Sequence, residues 1–311
     1  GKVVKMIPTL HPAALLYKPE WTVQALSDWK KIGLEAISAE KNGLPPDRQF
    51  VVFPTRDDLE WFKELAFTEE SLAVDIECNP ETRELICVGF STSPQLAISI
   101  PWGKEWEKEG IRELLASPTP KIFHNLPFDV SWLEAEGLEV RNPKWDTMYM
   151  HHCLYPTQQH SLAYVASIYT NEPYWKEEAK GGDKEEEKFQ WLRPGAPQES
   201  FFRYNCKDAA VTKEIQPLLL KELQDRKLLP FYLAHYQELY PALVEMQLKG
   251  IRVDLPAMGR GAKEAEEKIG TLRTRLLSLT GGVDLFGKKA LSQKKVATFL
   301  YGSGEKNLNL P

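Results

Sequence analysis

The 311-residue sequence predicts an α/β protein, a mixed sheet flanked by helices and followed by a helical segment. Three observations carry that expectation. Residues 72–77 (LAVDIE) alternate, placing Leu72, Val74 and Ile76 on one face and Asp75 and Glu77 on the other, the period of two of a strand. The runs LAVDIE, ELICVGFST and QLAISIP follow one another with short connections, which reads as an antiparallel meander. From residue 199 onward the pattern becomes one of long helical segments.

The elements follow in order. KVVKMIPT reads as strand-like, LHPAALLYKPE as a turn, and the next run as a helix with Ala25, Leu26, Trp29 and Ile32 on one face. Residues 1–43 bury too little apolar surface to stand alone, so this unit must dock on something. KNGLPPDRQ, residues 41–49, reads as a connection whose Gly and paired Pro disfavour helix, and residues 44–50 are set as the linker. FVVFP opens the mixed region, the meander follows, then a helix at EKEGIRELLAS and a strand at KIFHN. In NLPFDVSWLEAEG, Pro127 sits where a first helical turn accepts it and Gly137 where a helix stops, which puts Asp129 near a helix N-terminus. Asp146 in WDTM suits a cap, and the acidic, Gly- and Pro-punctuated stretch 174–198 reads as a mobile surface excursion. Residues 199–227 form a helix that Pro217 kinks or divides. A helix ending at Gly250, an extended IRVD, a long helix capped by Asp254 and a short one after Ser292 complete the chain.

Composition bounds the function. With 42% hydrophobic and 27% charged residues the chain is an ordinary globular protein, and no apolar run approaches the roughly 20 residues of a membrane span. This places it in the cytoplasm, without a membrane partner. The four cysteines lack the CxxC spacing of a zinc site or a disulfide framework, so reduced thiols are expected. A first residue of Gly suggests a fragment or a processed terminus. The net charge of −5 is unevenly spread: residues 252–308 hold 11 Lys or Arg against 6 Asp or Glu, a net +5. Such a segment suits a nucleic-acid backbone, and equally a solvated helical surface.

Chemistry concentrates in four carboxylates and a tyrosine: Asp75 and Glu77, Asp129, and Tyr204 with Asp208, which share a helical face at a spacing of four. Two unit charges about 4 Å apart repel by about 4 kcal/mol at an effective dielectric of 20, so clustered acids invite a cation or a proton. Oxygen ligands without His or Cys select a hard cation, Mg²⁺ or Mn²⁺. Taken singly, Asp75, Asp129 and Asp208 each read as a cap or surface acid rather than as a ligand. The combination of an acid pair on an apolar strand, HNLPFD at a helix start and YNCKD on a helix, in that order, carries the reading.

At these residues the chain resembles the DEDDy class of 3′-5′ exonucleases, and within it the proofreading domain of family A DNA polymerases, over residues 51–228. Asp75 and Glu77 match its DxE motif, His124, Asn125, Phe128 and Asp129 its HNxxFD motif, and Tyr204 and Asp208 its YxxxD motif. The resemblance implies a ribonuclease H-like fold and two divalent metal ions. Asp75, Glu77 and Asp208 would hold one ion, Asp75 would bridge to a second that Asp129 supports partly through water, and Tyr204 would orient the nucleophilic water. Asn125 and Phe128 would position the terminal nucleotide, although Phe128 reads equally as a core residue. The acidic excursion departs from the family pattern.

The flanks add two resemblances. Gly250, Val253 and Asp254 of KGIRVD and the later LSQKKVATFLYG resemble the start and tip of a family A polymerase thumb, making residues 229–311 the beginning of a polymerase domain. Residues 1–43, through IPTLHPAALL with His11, resemble the C-terminal part of a uracil-DNA glycosylase. Together these imply DNA replication and proofreading, with the single-stranded 3′ end of a DNA primer-template as substrate. They also imply a monomer in a bacterial cell or virus-infected host, and a palm and fingers lying beyond this chain. An RNase D-like exoribonuclease and a non-catalytic nucleic-acid-binding module are the alternatives.

Overall fold

The computed structural model describes residues 7, 9–37, 43–79, 82–175, 198–287, 290–302, 307, 308 and 310. The strand-like reading of residues 2–9 and nearly all of the acidic stretch 174–198 lie outside them. Strands β2 (Leu72–Asn79), β3 (Glu84–Ser93) and β4 (Leu96–Pro101) form the expected antiparallel meander. β5 (Lys121–Phe123) pairs in parallel with β2, β6 (Pro143–Asp146) with β5, and β1 (Gln49–Val52) with β4. The order β1-β4-β3-β2-β5-β6 contains the ribonuclease H-like arrangement, in which the second strand of the meander is the antiparallel one.

The two faces of this sheet differ in side-chain size. On one, Leu72, Val74, Ile76, Val88, Phe90, Ile98 and Ile100 pack with Leu59, Phe62 and Ala66 of α2 (Arg56–Thr68). Ile111, Leu114 and Leu115 of α3 (Glu105–Ala116) and Val130 and Leu133 of α4 (Leu126–Ala135) complete that core. The other face presents Ala73, Ser91 and Ala97 in one row, and Asp75, Gly89 and Ser99 in the next. Small residues there let α7 (Gln198–Asp225) lie close, through Cys206 and Ala210. The period of two thus separates a bulky core from the chemistry. α7 runs unbroken through Pro217 rather than being divided by it.

Three elements were not expected: α2, β6 and α6 (Leu162–Tyr169); α5 (Thr147–Leu154) is the helix that a cap at Asp146 implies. α2 carries a reciprocal capping box between Thr55 and Asp58, with Leu59, Phe62 and Ala66 at helical spacing, so its signal was present. β6 is four residues without apolar alternation and exists through pairing with β5. The N-terminal unit docks as required, but through a different face. In α1 (Thr22–Ile37) Ala25 is buried, whereas Leu26 and Trp29 are exposed. The contact is polar. Ser27 Oγ donates to the Ile168 carbonyl at 2.7 Å, and Lys31 Nζ to the Ser167 and Thr170 carbonyls at 2.6 Å each, satisfying the last turn of α6. The linker is pinned by Arg48, which pairs with Glu172 at 3.0 Å and with Glu214 at 2.5 Å.

After α7 the chain continues through α8 (Leu229–Phe231), a π-turn at Tyr232–Tyr236 and α9 (Gln237–Lys249), closing at Gly250 with φ +66°. Gly1–Lys249 form one compact unit and Gly250–Pro311 a second. In the second unit, Asp254 caps α10 (Leu255–Leu279) by accepting from Ala257 N, and Ser292 caps α11 (Gln293–Tyr301) by accepting from Lys295 N. Both caps are as the sequence predicts. No helix among the described residues is long and apolar enough to cross a membrane. The four cysteines are free thiols.

Candidate active site

Three elements supply the acids. β2 carries Asp75 and Glu77 on its α7-facing side, and α7 brings Asp208 and Tyr204, one turn apart, against that strand. Asp75, Glu77 and Asp208 each offer a carboxylate oxygen, and these atoms all lie within 4.8 Å of one another. Asp129 stands in the first turn of α4, buried, with its Oδ2 lacking a hydrogen-bond partner. Burial first, then Asp75, Asp146, Glu77 and Asp208, hold its carboxyl well above the usual range.

The entry to α4 places Asp129. Only His124 and Asn125 separate β5 from α4, so the chain must turn sharply, and Asn125 does so in the left-handed region at φ 79°, which asparagine tolerates. The side chain of Asn125 makes no capping bond. The capping acid is Asp146: its Oδ1 accepts from Asn125 N at 3.1 Å and its Oδ2 from Leu126 N at 2.9 Å. The same carboxylate caps α5, with Oδ1 accepting from Met148 N at 2.9 Å and Tyr149 N at 3.2 Å, and it also accepts from the Tyr236 hydroxyl. Asp146 thus serves two helix N-termini where the sequence suggested one. His124 is engaged through both ring nitrogens, Nδ1 with Thr147 Oγ1 at 2.8 Å and Nε2 with the His160 carbonyl at 2.9 Å. Phe128 lies 40% exposed, its ring 6.1 Å from that of Trp132, on the helix surface rather than in the core.

Two residues beside the acids went unread in the sequence. Trp175 falls in the stretch expected to be a surface excursion, yet it is buried and its Nε1 donates to Asp208 Oδ1 at 2.6 Å. It is followed by Lys176, Glu177 and Glu178, and composition averaged over the stretch hides one anchoring aromatic. Asn205, inside YNCKD itself, donates to Asp75 Oδ2 at 2.9 Å. Its place three residues before Asp208 puts both on one helical face, the one signal that pointed to it.

The electrostatics suit a hard cation. Three converging carboxylates and a fourth with a stranded buried oxygen form an all-oxygen donor set, and negative charge gathered this closely is costly without a counter-ion. Cys78 does not compete: burial, then Glu77, Asp129 and Asp75, push its thiol up to about 12, so it stays protonated. Burial, then Asp208, Glu77 and Asp75, also push the Tyr204 phenol up, so it remains a hydrogen-bond donor and not a base.

Comparison with known proteins agrees with this geometry. The DNA polymerase I of Chloroflexus aurantiacus is 25% identical over 226 residues, covering 68% of this chain and 24% of that protein, so the chain spans about a quarter of this relative's length. The solved POL domain of Pol1 from M. smegmatis, in complex with DNA primer-template and dNTP, superposes with a TM-score of 0.51 at 16% identity, covering 83% of this chain and 41% of that one. That likeness is one of fold. Escherichia coli RNase D, an exoribonuclease, gives a TM-score of 0.47 at 19% identity over 64% of this chain and 51% of its own. Residues 50–224, more than half the chain, match the family model for the 3′-5′ exonuclease of DNA polymerase A type, and they contain every acid assembled above. The chain belongs to the 3′-5′ exonuclease family.

Proposed function

We propose that this chain hydrolyses the 3′-terminal phosphodiester of DNA as the DEDDy-type proofreading exonuclease of a family A DNA polymerase. The observation that carries the proposal is the convergence of Asp75, Glu77 and Asp208 from a strand and a helix, beside the buried, unpartnered Oδ2 of Asp129. Asp75, Glu77 and Asp208 would hold one divalent ion, Mg²⁺ or Mn²⁺, and Asp75 with Asp129 a second. When bound, such ions lower the pKa of a water and neutralise charge on the phosphodiester and the leaving 3′ oxygen. The remaining work falls to the protein. Tyr204, held protonated, orients the water by hydrogen bonding. Exposed Phe128 offers a face for the terminal base, and Asn125 stands beside it at the head of α4.

DNA as substrate is supported by the family match and by the similarity to a DNA polymerase I over 226 residues. We read residues 51–228 as the exonuclease domain and 229–311 as the start of the polymerase thumb, whose palm and fingers would follow. The basic residues of 252–308 would lie along the duplex backbone. Residues 1–43 are read as a remnant of a glycosylase-like domain; in this structure His11 caps the short helix Pro12–Leu16 by accepting from Ala13 N.

The test is direct. The chain is incubated with Mg²⁺ and a 3′-mismatched primer-template, single-stranded DNA or single-stranded RNA, and the assay is repeated with chelator and with Asp208→Ala. DNA should shorten from its 3′ end, and both the chelator and the substitution should abolish it. Undiminished cleavage by Asp208→Ala would sink the site assignment, and faster shortening of RNA would move the substrate to RNA.

A further inference from the structure

The row of residues beneath α7 has a feature that the roles above leave unused. Asp75, Gly89 and Ser99 stand side by side across β2, β3 and β4. Asn205, fully buried, lies over the middle of that row. Its Nδ2 donates to Asp75 Oδ2 at 2.9 Å and to the Asp75 carbonyl at 3.2 Å, while its Oδ1 accepts from Ser99 Oγ at 2.6 Å. The approach depends on Gly89. A Cβ at that position would lie 2.5 Å from Asn205 Oδ1 and 2.8 Å from its Cγ, distances at which something must shift.

Each part of this bridge has one physical consequence. The carboxylate and carbonyl of Asp75 can only accept, so the amide must turn its Nδ2 toward them, and its Oδ1 is left to accept from the Ser99 hydroxyl. A neutral donor against a carboxylate stabilises its charge and its rotamer together, where three acids within 4.8 Å would otherwise push apart. Aspartate at position 205 would reverse the effect, adding another carboxylate against Asp75, and serine would be too short to span both partners.

We propose that Asn205 is a positioning residue that holds Asp75 in its ion-binding orientation, itself held by Ser99 and by the absence of a side chain at Gly89, so that this buried amide sets the metal affinity of the centre. The inference rests on the metal-centre reading given above. It requires no contact between Asn205 and substrate.

The experiment is calorimetric titration of Mn²⁺ into the full 311-residue chain without nucleic acid, for the unaltered protein, Asn205→Ala, Gly89→Ala, the double variant and Ser99→Ala. Removing a residue that orients a ligand costs about 10–100-fold in metal affinity, and this is the rise in dissociation constant expected for Asn205→Ala. Gly89→Ala should weaken Mn²⁺ similarly by displacing the amide, and the double variant should bind no more weakly than Asn205→Ala, because the clash is gone. Ser99→Ala should give a smaller loss of the same sign. In cleavage of a single-stranded oligonucleotide, the half-saturating Mn²⁺ concentration should rise by the same factor, with kcat recovered at saturating Mn²⁺ and KM for the oligonucleotide unchanged. If the unaltered chain binds Mn²⁺ and Asn205→Ala binds it as tightly, this inference alone is overturned. Should Asn205→Ala not fold, unchanged affinity in both Gly89→Ala and Ser99→Ala overturns it equally. Failure of the unaltered chain to bind Mn²⁺ removes the metal-centre reading and this inference with it.

Discussion

Replacing Asp146 by alanine should uncouple two helices at once. Its carboxylate accepts four backbone N–H groups, from Asn125, Leu126, Met148 and Tyr149, and the hydroxyl of Tyr236, which is almost wholly buried. Loss of an N-cap costs about 0.5–2 kcal/mol per helix, and a stranded buried hydroxyl about 1–3 kcal/mol. Part of this is offset, because Asp146 is itself buried and burial raises its pKa against the lowering effect of these hydrogen bonds. A net loss of about 2–5 kcal/mol follows, which at roughly 2–4 °C per kcal/mol for a domain of this size lowers Tm by about 4–20 °C. Thermal unfolding by circular dichroism measures it. Tyr236→Phe should cost about 1 kcal/mol alone and add less than that to Asp146→Ala, since the two share one bond. Because α4 begins at these donors and carries Asp129, exonuclease activity of Asp146→Ala should fall well below that of a control variant of equal Tm. A Tm within about 2 °C of the unaltered chain would refute the double-cap reasoning.

Other outcomes follow from the same geometry. The Asp129 carboxyl has a raised pKa in the folded chain, so its contribution to stability is present at low pH and is lost as pH rises through that folded value. Tm in chelator should therefore decline as pH rises above the ordinary carboxylate range, with Asp129→Asn flattening the decline and Mg²⁺ reversing it; a pH-independent Tm in chelator would contradict the burial of that charge. Lys31→Ala removes both bonds to the end of α6, and hydrogen exchange of residues 22–37 should quicken while that of the sheet stays unchanged. Trp175→Phe keeps the buried ring but deletes the donor to Asp208 Oδ1, so it should raise the Mn²⁺ requirement without lowering Tm by more than about 1–2 kcal/mol equivalent.

Reading the sequence succeeded where the information was local. The alternation of Leu72 to Glu77, Pro127 and Gly137 around α4, and the caps Asp254 and Ser292 each depend on residues within a few positions, and each is found where expected. It failed where a residue's surroundings come from elsewhere. Leu26 and Trp29 form an apolar face, but the available partner is a helix end with unsatisfied carbonyls, so Ser27 and Lys31 make the contact instead. β6 has too few residues to declare itself and depends on β5 for its hydrogen bonds. Trp175 was submerged in a charged stretch, because composition describes an average and burial concerns one side chain.

The acids themselves were legible in one dimension, because a strand's period and a helix's turn determine which side chains share a face before any packing occurs. Whether those faces meet is decided by the fold. A sheet with one bulky and one small-residue face admits α7 close enough to bring Asp208 within 4.8 Å of Asp75 and Glu77. The same closeness lets Asn205 reach across Gly89 to join Asp75 with Ser99, residues 24 positions apart on the two strands that flank β3. Such contacts depend on distances between segments distant in sequence, and only a folded backbone sets those distances.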